Sequence, residues 1–166
     1  MFGPRTRVAL PILGVSVLGI LWKVALEPAA TPARPPPEVS RSEQEWRAIL
    51  SPESFRVLRE KGTEPPYKNR FWRHRDPGVY LCGACHAQLF DSTTKFESGS
   101  GWPSFWKPRT ESAVIEEVEW SAMGRRVEVR CARCHSHLGH VFEDGPRPTG
   151  KRYCMNSLAL DFEAEA

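Results

Sequence analysis

Two short cysteine turns limit this chain more than anything else in it. Cys82-Gly83-Ala84-Cys85-His86 and Cys131-Ala132-Arg133-Cys134-His135 share the CxxCH pattern, and each is followed by a leucine three residues after its histidine, Leu89 and Leu138. Each also follows a stretch that patterns as a β-strand. Brought together, two such turns offer four thiolates in tetrahedral geometry, the arrangement that structural zinc takes. The gap of about 45 residues between the pairs exceeds usual zinc-ribbon spacing, but closure entropy grows slowly with loop length, so a long gap does not forbid the site. Two rival readings stay open on the motif alone. CxxCH is also the attachment motif for c-type haem, which would make the chain a dihaem electron carrier. Each pair could instead be a redox dithiol or a disulfide in an oxidising compartment.

The fifth cysteine, Cys154, has no partner of this kind. It stands in Gly150-Lys151-Arg152-Tyr153-Cys154-Met155-Asn156-Ser157, with a cation two residues before it and an amide two residues after. A neighbouring positive charge favours the thiolate, the nucleophilic form. The plain alternative is a small buried residue on a strand.

The remaining chain divides by composition. In Met1–Leu26, Arg5 and Arg7 precede the apolar run Val8–Trp22, a pattern of an export signal or short membrane anchor. It predicts an N-terminal apolar helix, with the arginines cytoplasmic and the following domain exported, periplasmic or otherwise extracytoplasmic, and either anchored or soluble after cleavage. Glu27–Val39 is a proline-rich tether that cannot pack a core. The folded domain is expected from Ser40 to Ala166. Its net charge belongs to a chain of only +3 overall, which gives no basis for nucleic-acid binding.

Within the domain, Ser42-Glu43-Gln44-Glu45 is a capping-box pattern, and Trp46, Ile49 and Leu50 share one helical face. Ser51-Pro52 begins a second short helix with Phe55, Val57 and Leu58 inward and Gly62 closing it. Afterwards the pattern turns to strands at Gly78–Leu81, Ala113–Trp120, Arg126–Arg130 and Leu158–Phe162. The fold class is therefore mainly β: a small domain of antiparallel sheets led by two short helices. His137-Leu138-Gly139-His140-Val141-Phe142 is expected as a glycine-containing turn that brings two imidazoles near each other, suited to proton transfer. Phe96–Trp106 is a glycine-rich loop whose Trp102 could line an apolar pocket.

Taken in order, SGSGWPSF, the two CxxC pairs, HLGHVFEDGP and RYCMNSLAL resemble the methionine-R-sulfoxide reductases of type B, over about Ser42 to Phe162. The resemblance implies two antiparallel sheets and one structural zinc ion on Cys82, Cys85, Cys131 and Cys134, away from the active site. It implies an oxidoreductase of protein repair under oxidative stress, monomeric, acting on methionine-R-sulfoxide in oxidised peptides and proteins. Cys154 is then the nucleophile that becomes a sulfenic acid. His137, His140, Arg152 and Asn156 are polar active-site residues, and Trp102 receives the substrate's ε-methyl group. Asp144 and Phe142 are supporting candidates. Many members carry a resolving cysteine where this chain has Ser100. With four cysteines on zinc, no resolving thiol remains, so a thioredoxin-like protein or small thiol is expected to attack the oxidised Cys154 directly.

Overall fold

Two seven-residue helices open the fold, too short to persist alone. Each is fixed at its start by a serine. In α1 (Glu43–Ile49), Ser42 and Glu45 form the reciprocal capping box expected from the sequence. In α2 (Pro52–Leu58), the Ser51 hydroxyl accepts the Ser54 N–H, and proline sits in the first turn. Their inward faces bury Trp46, Phe55, Val57 and Leu58. Each such side chain contributes roughly 1.5–3 kcal/mol by leaving water. Ile49, expected on the same face, is 54% exposed: a helix this short turns its last residue away from the contact that Trp46 makes. The residue in the left-handed conformation after α2 is Lys61, not Gly62, although Gly62 N–H still satisfies the free carbonyl of Arg56.

The structure, a computed structural model, describes Gly3, residues 35–121 and residues 124–165. The expected apolar helix and most of the tether lie outside the described residues. Among the described residues, no helix is long and apolar enough to cross a membrane. Pro35–Ala166 forms one compact unit, and Val39 N–H donates to the Arg133 carbonyl.

Among the described residues nine strands follow the helices: β1 (Gly78–Cys82), β2 (Gln88–Asp91), β3 (Lys95–Phe96), β4 (Ser104–Phe105), β5 (Val114–Ser121), β6 (Gly124–Cys131), β7 (His137–Phe142), β8 (Arg152–Met155) and β9 (Leu160–Ala164). They form two antiparallel sheets, ordered β2-β1-β9 and β3-β4-β8-β7-β6-β5. Aromatic rings fill the space between the sheets. Phe90 of β2 stacks on Phe105 of β4 at 4.4 Å, and Tyr80 of β1 meets the same ring edge-on at 4.9 Å.

Two expected elements change character. Leu158 and Ala159, expected to begin the last strand, belong to a 3-10 turn over Ser157–Ala159, and β9 starts at Leu160. His137–Phe142 is a strand rather than a turn. Its glycine serves close approach instead: a Cβ on Gly139 would lie 2.2 Å from the Cys154 carbonyl oxygen of β8.

Candidate active site

Cys154 sits in the middle of the six-stranded sheet, and its cross-strand neighbours are dictated by register. Ser104 of β4 lies opposite on one side and His140 of β7 on the other. On a regular strand, residues three apart point to opposite faces. His137 and His140 nevertheless share one face, with ring centroids 5.4 Å apart. The cause is a bulge: His137 pairs with Arg130 and Gly139 with Val129, so Leu138 is an extra residue that resets the alternation.

Each imidazole is held by a carboxylate. His137 Nδ1 lies 2.8 Å from Glu128 Oε1, with both side chains buried, and Lys61 Nζ lies 2.6 Å from the other Glu128 oxygen. Burial alone would raise the Glu128 carboxyl, but His137 and Lys61 together bring it down to about 2. Glu128 is thus an ionised acceptor, so His137 donates through Nδ1 and directs Nε2 away from the carboxylate. Among the described residues that buried Nε2 has no hydrogen-bond partner. His140 Nε2 lies 2.8 Å from Glu119 Oε1, which also accepts from Arg126 at 2.9 Å. The His140 hydrogen bond holds the Glu119 carboxyl low. Burial holds the His140 imidazole below its ordinary value, favouring the neutral form.

Cys154 Sγ lies 3.6 Å from Ser100 Oγ, and Ser100 continues a hydroxyl chain through Ser98 to Ser104, at 2.8 and 2.7 Å. Burial raises the thiol above its ordinary value. Ser100, Arg152 and Ser104 pull the other way without overcoming it. Arg152 spends its fork on Asp144, with two contacts of 2.8 Å, and lies over the Phe142 ring at 4.4 Å. Its charge therefore reaches Cys154 already partnered, and the thiol is protonated more readily than an arginine two residues away suggests.

A cavity of about 150 Å³ opens over the sulfur, lined by Trp102, Arg126, His140, Phe142, Cys154 and Asn156. Two larger hollows of about 360 Å³ elsewhere on the surface are lined by neither cysteine nor histidine. The chemistry, not the size, picks the site. Asn156 is anchored on both sides of its amide: Oδ1 accepts from Glu64 N–H at 3.2 Å, and Nδ2 donates to the Leu138 carbonyl at 3.1 Å. One amide proton remains uncommitted by these contacts. Trp102 Nε1 donates to the Glu64 carbonyl at 3.1 Å.

The other four cysteines gather separately. Cys82, Cys85, Cys131 and Cys134 place their sulfurs within 4.8 Å of one another, with Cys82–Cys134 at 3.7 Å and Cys85–Cys131 at 3.6 Å. A tetrahedral site with zinc–sulfur bonds of about 2.3 Å requires sulfurs roughly 3.8 Å apart, so the set fits such an ion. Contacts with neighbouring sulfurs push the Cys82 and Cys131 thiols up; a cation is what lets such a cluster ionise together. The two knuckles are built alike. His86 and His135 take positive φ values of 54° and 56°, and their N–H groups return to the Cys82 and Cys131 carbonyls. Because the pairs face each other, neither is left to hold a haem of its own, and the dihaem reading loses its support.

The sequence matches the SelR domain over residues 50–164. The chain belongs to that family. Family members similar to it include proteins named peptide methionine sulfoxide reductase MsrB from Methanosarcina barkeri, 53% identical over 127 residues, and Leptospira interrogans, 49% identical over 128 residues. These alignments cover 76% and 77% of this chain, and 89% and 98% of the relatives. A third, from Thioalkalivibrio sulfidiphilus, is 53% identical over 123 residues, 74% of this chain and 90% of the relative.

Within this SelR domain, Cys154, His140, Asn156 and Trp102 line one cavity, while His137 lies behind it against His140 and Arg152 acts on Cys154 from outside the lining. Sequence reading missed the carboxylates behind them. Glu128 and Glu119 lie on β-strands whose alternating glutamates look like an ordinary solvated face. Glu64 lies in a connector, just before Pro65 and Pro66. Only pairing across strands reveals them: alternation sets Glu128 on the face opposite Val127 and Val129, with Arg126 and Arg130, which reads as solvated although the side chain is buried.

Proposed function

We propose that this chain reduces methionine-R-sulfoxide in peptides and proteins, with Cys154 as the attacking sulfur. The carrying observation is the cavity that sets an aromatic ring, Trp102, with Cys154 and the carboxylate-held imidazole of His140, against which a second such imidazole, His137, is packed. A thioether S-methyl group suits the aromatic wall, and the polar sulfoxide oxygen suits the imidazole side.

The reaction needs one proton delivered as one bond breaks. Cys154 Sγ attacks the sulfoxide sulfur and loses its own proton. The histidine pair supplies a proton to the oxygen, with Glu128 and Glu119 fixing which ring nitrogen faces inward. The sulfur–sulfur bond made by the attack and the substrate's sulfur–oxygen bond then break as the hydroxyl passes to Cys154, leaving a sulfenic acid there and returning an electron pair to the departing methionine sulfur, so the substrate is reduced and the cysteine oxidised. The uncommitted Asn156 amide proton and the Arg152–Asp144 pair help hold the polar atoms in place. Because burial favours the neutral Cys154 thiol, attack is best timed with transfer of its proton into the imidazole network.

Regeneration follows from Ser100. It occupies the contact position next to Cys154 and has no sulfur. An external thiol, from a thioredoxin-like protein or a small molecule, attacks the sulfenic acid, giving a mixed disulfide and water. A second thiol then releases Cys154 and a disulfide. Cys82, Cys85, Cys131 and Cys134 would hold one zinc ion in a structural role, since the first pair lies at the end of β1 in the three-stranded sheet and the second at the end of β6 in the six-stranded sheet. The N-terminal segment is proposed to export this domain and tether it outside the cytoplasm; the mass of the mature chain tests whether it is cut.

The deciding test is a single-turnover assay on the two separated sulfoxide epimers. The R form should be reduced with one methionine formed per Cys154, and Cys154→Ser should form none. Turnover of the S form alone, or an undiminished serine variant, overturns the reading.

A further inference from the structure

Glu64 is a buried carboxylate that the proposed chemistry does not use, only 4% exposed in a connector between α2 and β1. Every polar group it owns points at a part of the active site. Its backbone N–H donates to Asn156 Oδ1 at 3.2 Å, and its carbonyl accepts the Trp102 indole N–H at 3.1 Å. Its two carboxylate oxygens accept the backbone N–H groups of Ser157 and Leu158, just past Asn156 and the end of the strand carrying Cys154. These are the first amides of a 3-10 turn, donors that would otherwise lack partners. The same connector repeats the pattern nearby: Asn69 Nδ2 and Tyr67 N–H both bond the Gly101 carbonyl, beside Trp102, while the Ser157 hydroxyl donates to Asn69 Oδ1.

Trp102 and Asn156 come from separate strand ends and form facing parts of one small cavity. In the six-stranded sheet β4 and β8 share the pairs Ser104–Cys154 and Phe105–Tyr153, and the Met155 N–H carries the ladder on to the Pro103 carbonyl; the Trp102 side chain lies beyond that ladder and is tied through its indole to Glu64. Burying a carboxylate is costly, and burial does push the Glu64 carboxyl up against the pull of the two amides. A neutral side chain would fill the space without that cost; what it would not do is accept two diverging N–H groups at once.

We propose that Glu64 is a positioning residue: through these four hydrogen bonds it sets the distance from the Trp102 wall to Asn156 and the end of the Cys154 strand. It thereby fixes where the substrate's methyl group sits relative to its oxygen. This rests on the reductase reading above. Glu64 touches no reacting atom. Its loss moves the walls, not the sulfur's reactivity.

The test uses the full, metal-loaded chain. In single-turnover reduction of an R-sulfoxide peptide, Glu64→Gln is expected to slow reduction by about tenfold to a hundredfold, the range that misplacement by about 1 Å produces. The amide keeps the shape and one acceptor but presents a donor to the second N–H. Alkylation of Cys154 by iodoacetamide should proceed at the wild-type rate, which a general disturbance of the site would change. Trp102→Ala should also slow reduction, and adding Glu64→Gln to it should cost little more. Wild-type reduction by Glu64→Gln, altered alkylation, or losses that simply multiply overturns the proposal. If the glutamine variant does not fold, the wild-type protein still decides: the Trp102 indole N–H should exchange with solvent far more slowly than that of Trp120, which is 76% exposed, and equal exchange overturns the proposal. Inactive Cys154→Ser with a fully active Glu64→Gln rejects only this inference. Active Cys154→Ser rejects the reductase reading itself.

Discussion

Cys131 and Cys154 belong to the same six-stranded sheet, yet their surroundings assign them opposite work. Cys131 ends β6 at a turn that delivers two sulfurs together, and a second such turn from the other sheet meets it. Cys154 lies within β8, where strand alternation gives it a serine on one side and a histidine on the other. Sulfurs at turns can crowd and share a cation. A sulfur on the face of a sheet is isolated from other sulfurs and surrounded by whatever the register brings. The same side chain becomes a cross-link or a reagent according to whether the backbone presents it in pairs.

That contrast can be broken most severely at Cys154. Cys154→Ser should lower R-sulfoxide reduction by at least about a thousandfold, as expected when the nucleophile itself is lost, with metal content and thermal midpoint unchanged. A variant that loses its metal instead would show that the two regions are not separate. The converse substitution, Cys131→Ser, should release the metal and destabilise the domain by several kcal/mol, since binding free energy in such sites is folding free energy. Metal analysis and denaturant unfolding read both quantities. Activity should disappear through unfolding, so any molecules still folded should retain alkylatable Cys154.

The contrast also marks what could be seen beforehand. Both knuckles were legible because a metal site needs ligands at short spacing, and helices capped by Ser42 and Ser51 were legible because caps are local. The histidine pair was legible as chemistry but not as geometry: nothing in His137–Phe142 reveals a bulge at Leu138, which exists only relative to β6. Short strands such as β3 and β4 are two residues long and carry no period to detect. Glu128 and Glu119 stayed hidden because their partners are distant in the chain. The arginine beside Cys154 misled in one respect: its pairing with Asp144 is invisible without the fold, and so is the burial that outweighs it.

The imidazole side of the comparison has its own lever. Glu128 sits far below an ordinary carboxylate, at about 2 when folded. A depressed value means stability that is fully present above about pH 4.5 and is lost as pH falls toward 2; the difference corresponds to about 3 kcal/mol. Glu128→Gln should remove that part of the acid dependence, flattening the curve of unfolding free energy between those pH values. It should also free the His137 ring and lower activity at neutral pH. Urea unfolding across the acid range measures the first effect. A variant whose stability falls with acid as steeply as the wild type would mean the carboxylate does not carry the pair.

The smallest effect expected is at Ser100, and it bears most directly on why this sulfur is usable at all. Burial raises the Cys154 thiol, and the Ser100 hydroxyl is the foremost group opposing it. Removing that contact in Ser100→Ala should raise the thiol further, so that alkylation at a fixed, mildly alkaline pH slows by a few-fold, in keeping with roughly 1 kcal/mol for one hydrogen bond. The midpoint of the alkylation–pH profile should move upward, never downward, since the alanine leaves the burial in place and deletes only a donor. The first turnover should remain, because serine supplies no electrons. An unchanged profile would mean that the sulfur is set by burial, Arg152 and Ser104, and that position 100 is merely the gap where a second thiol could have stood.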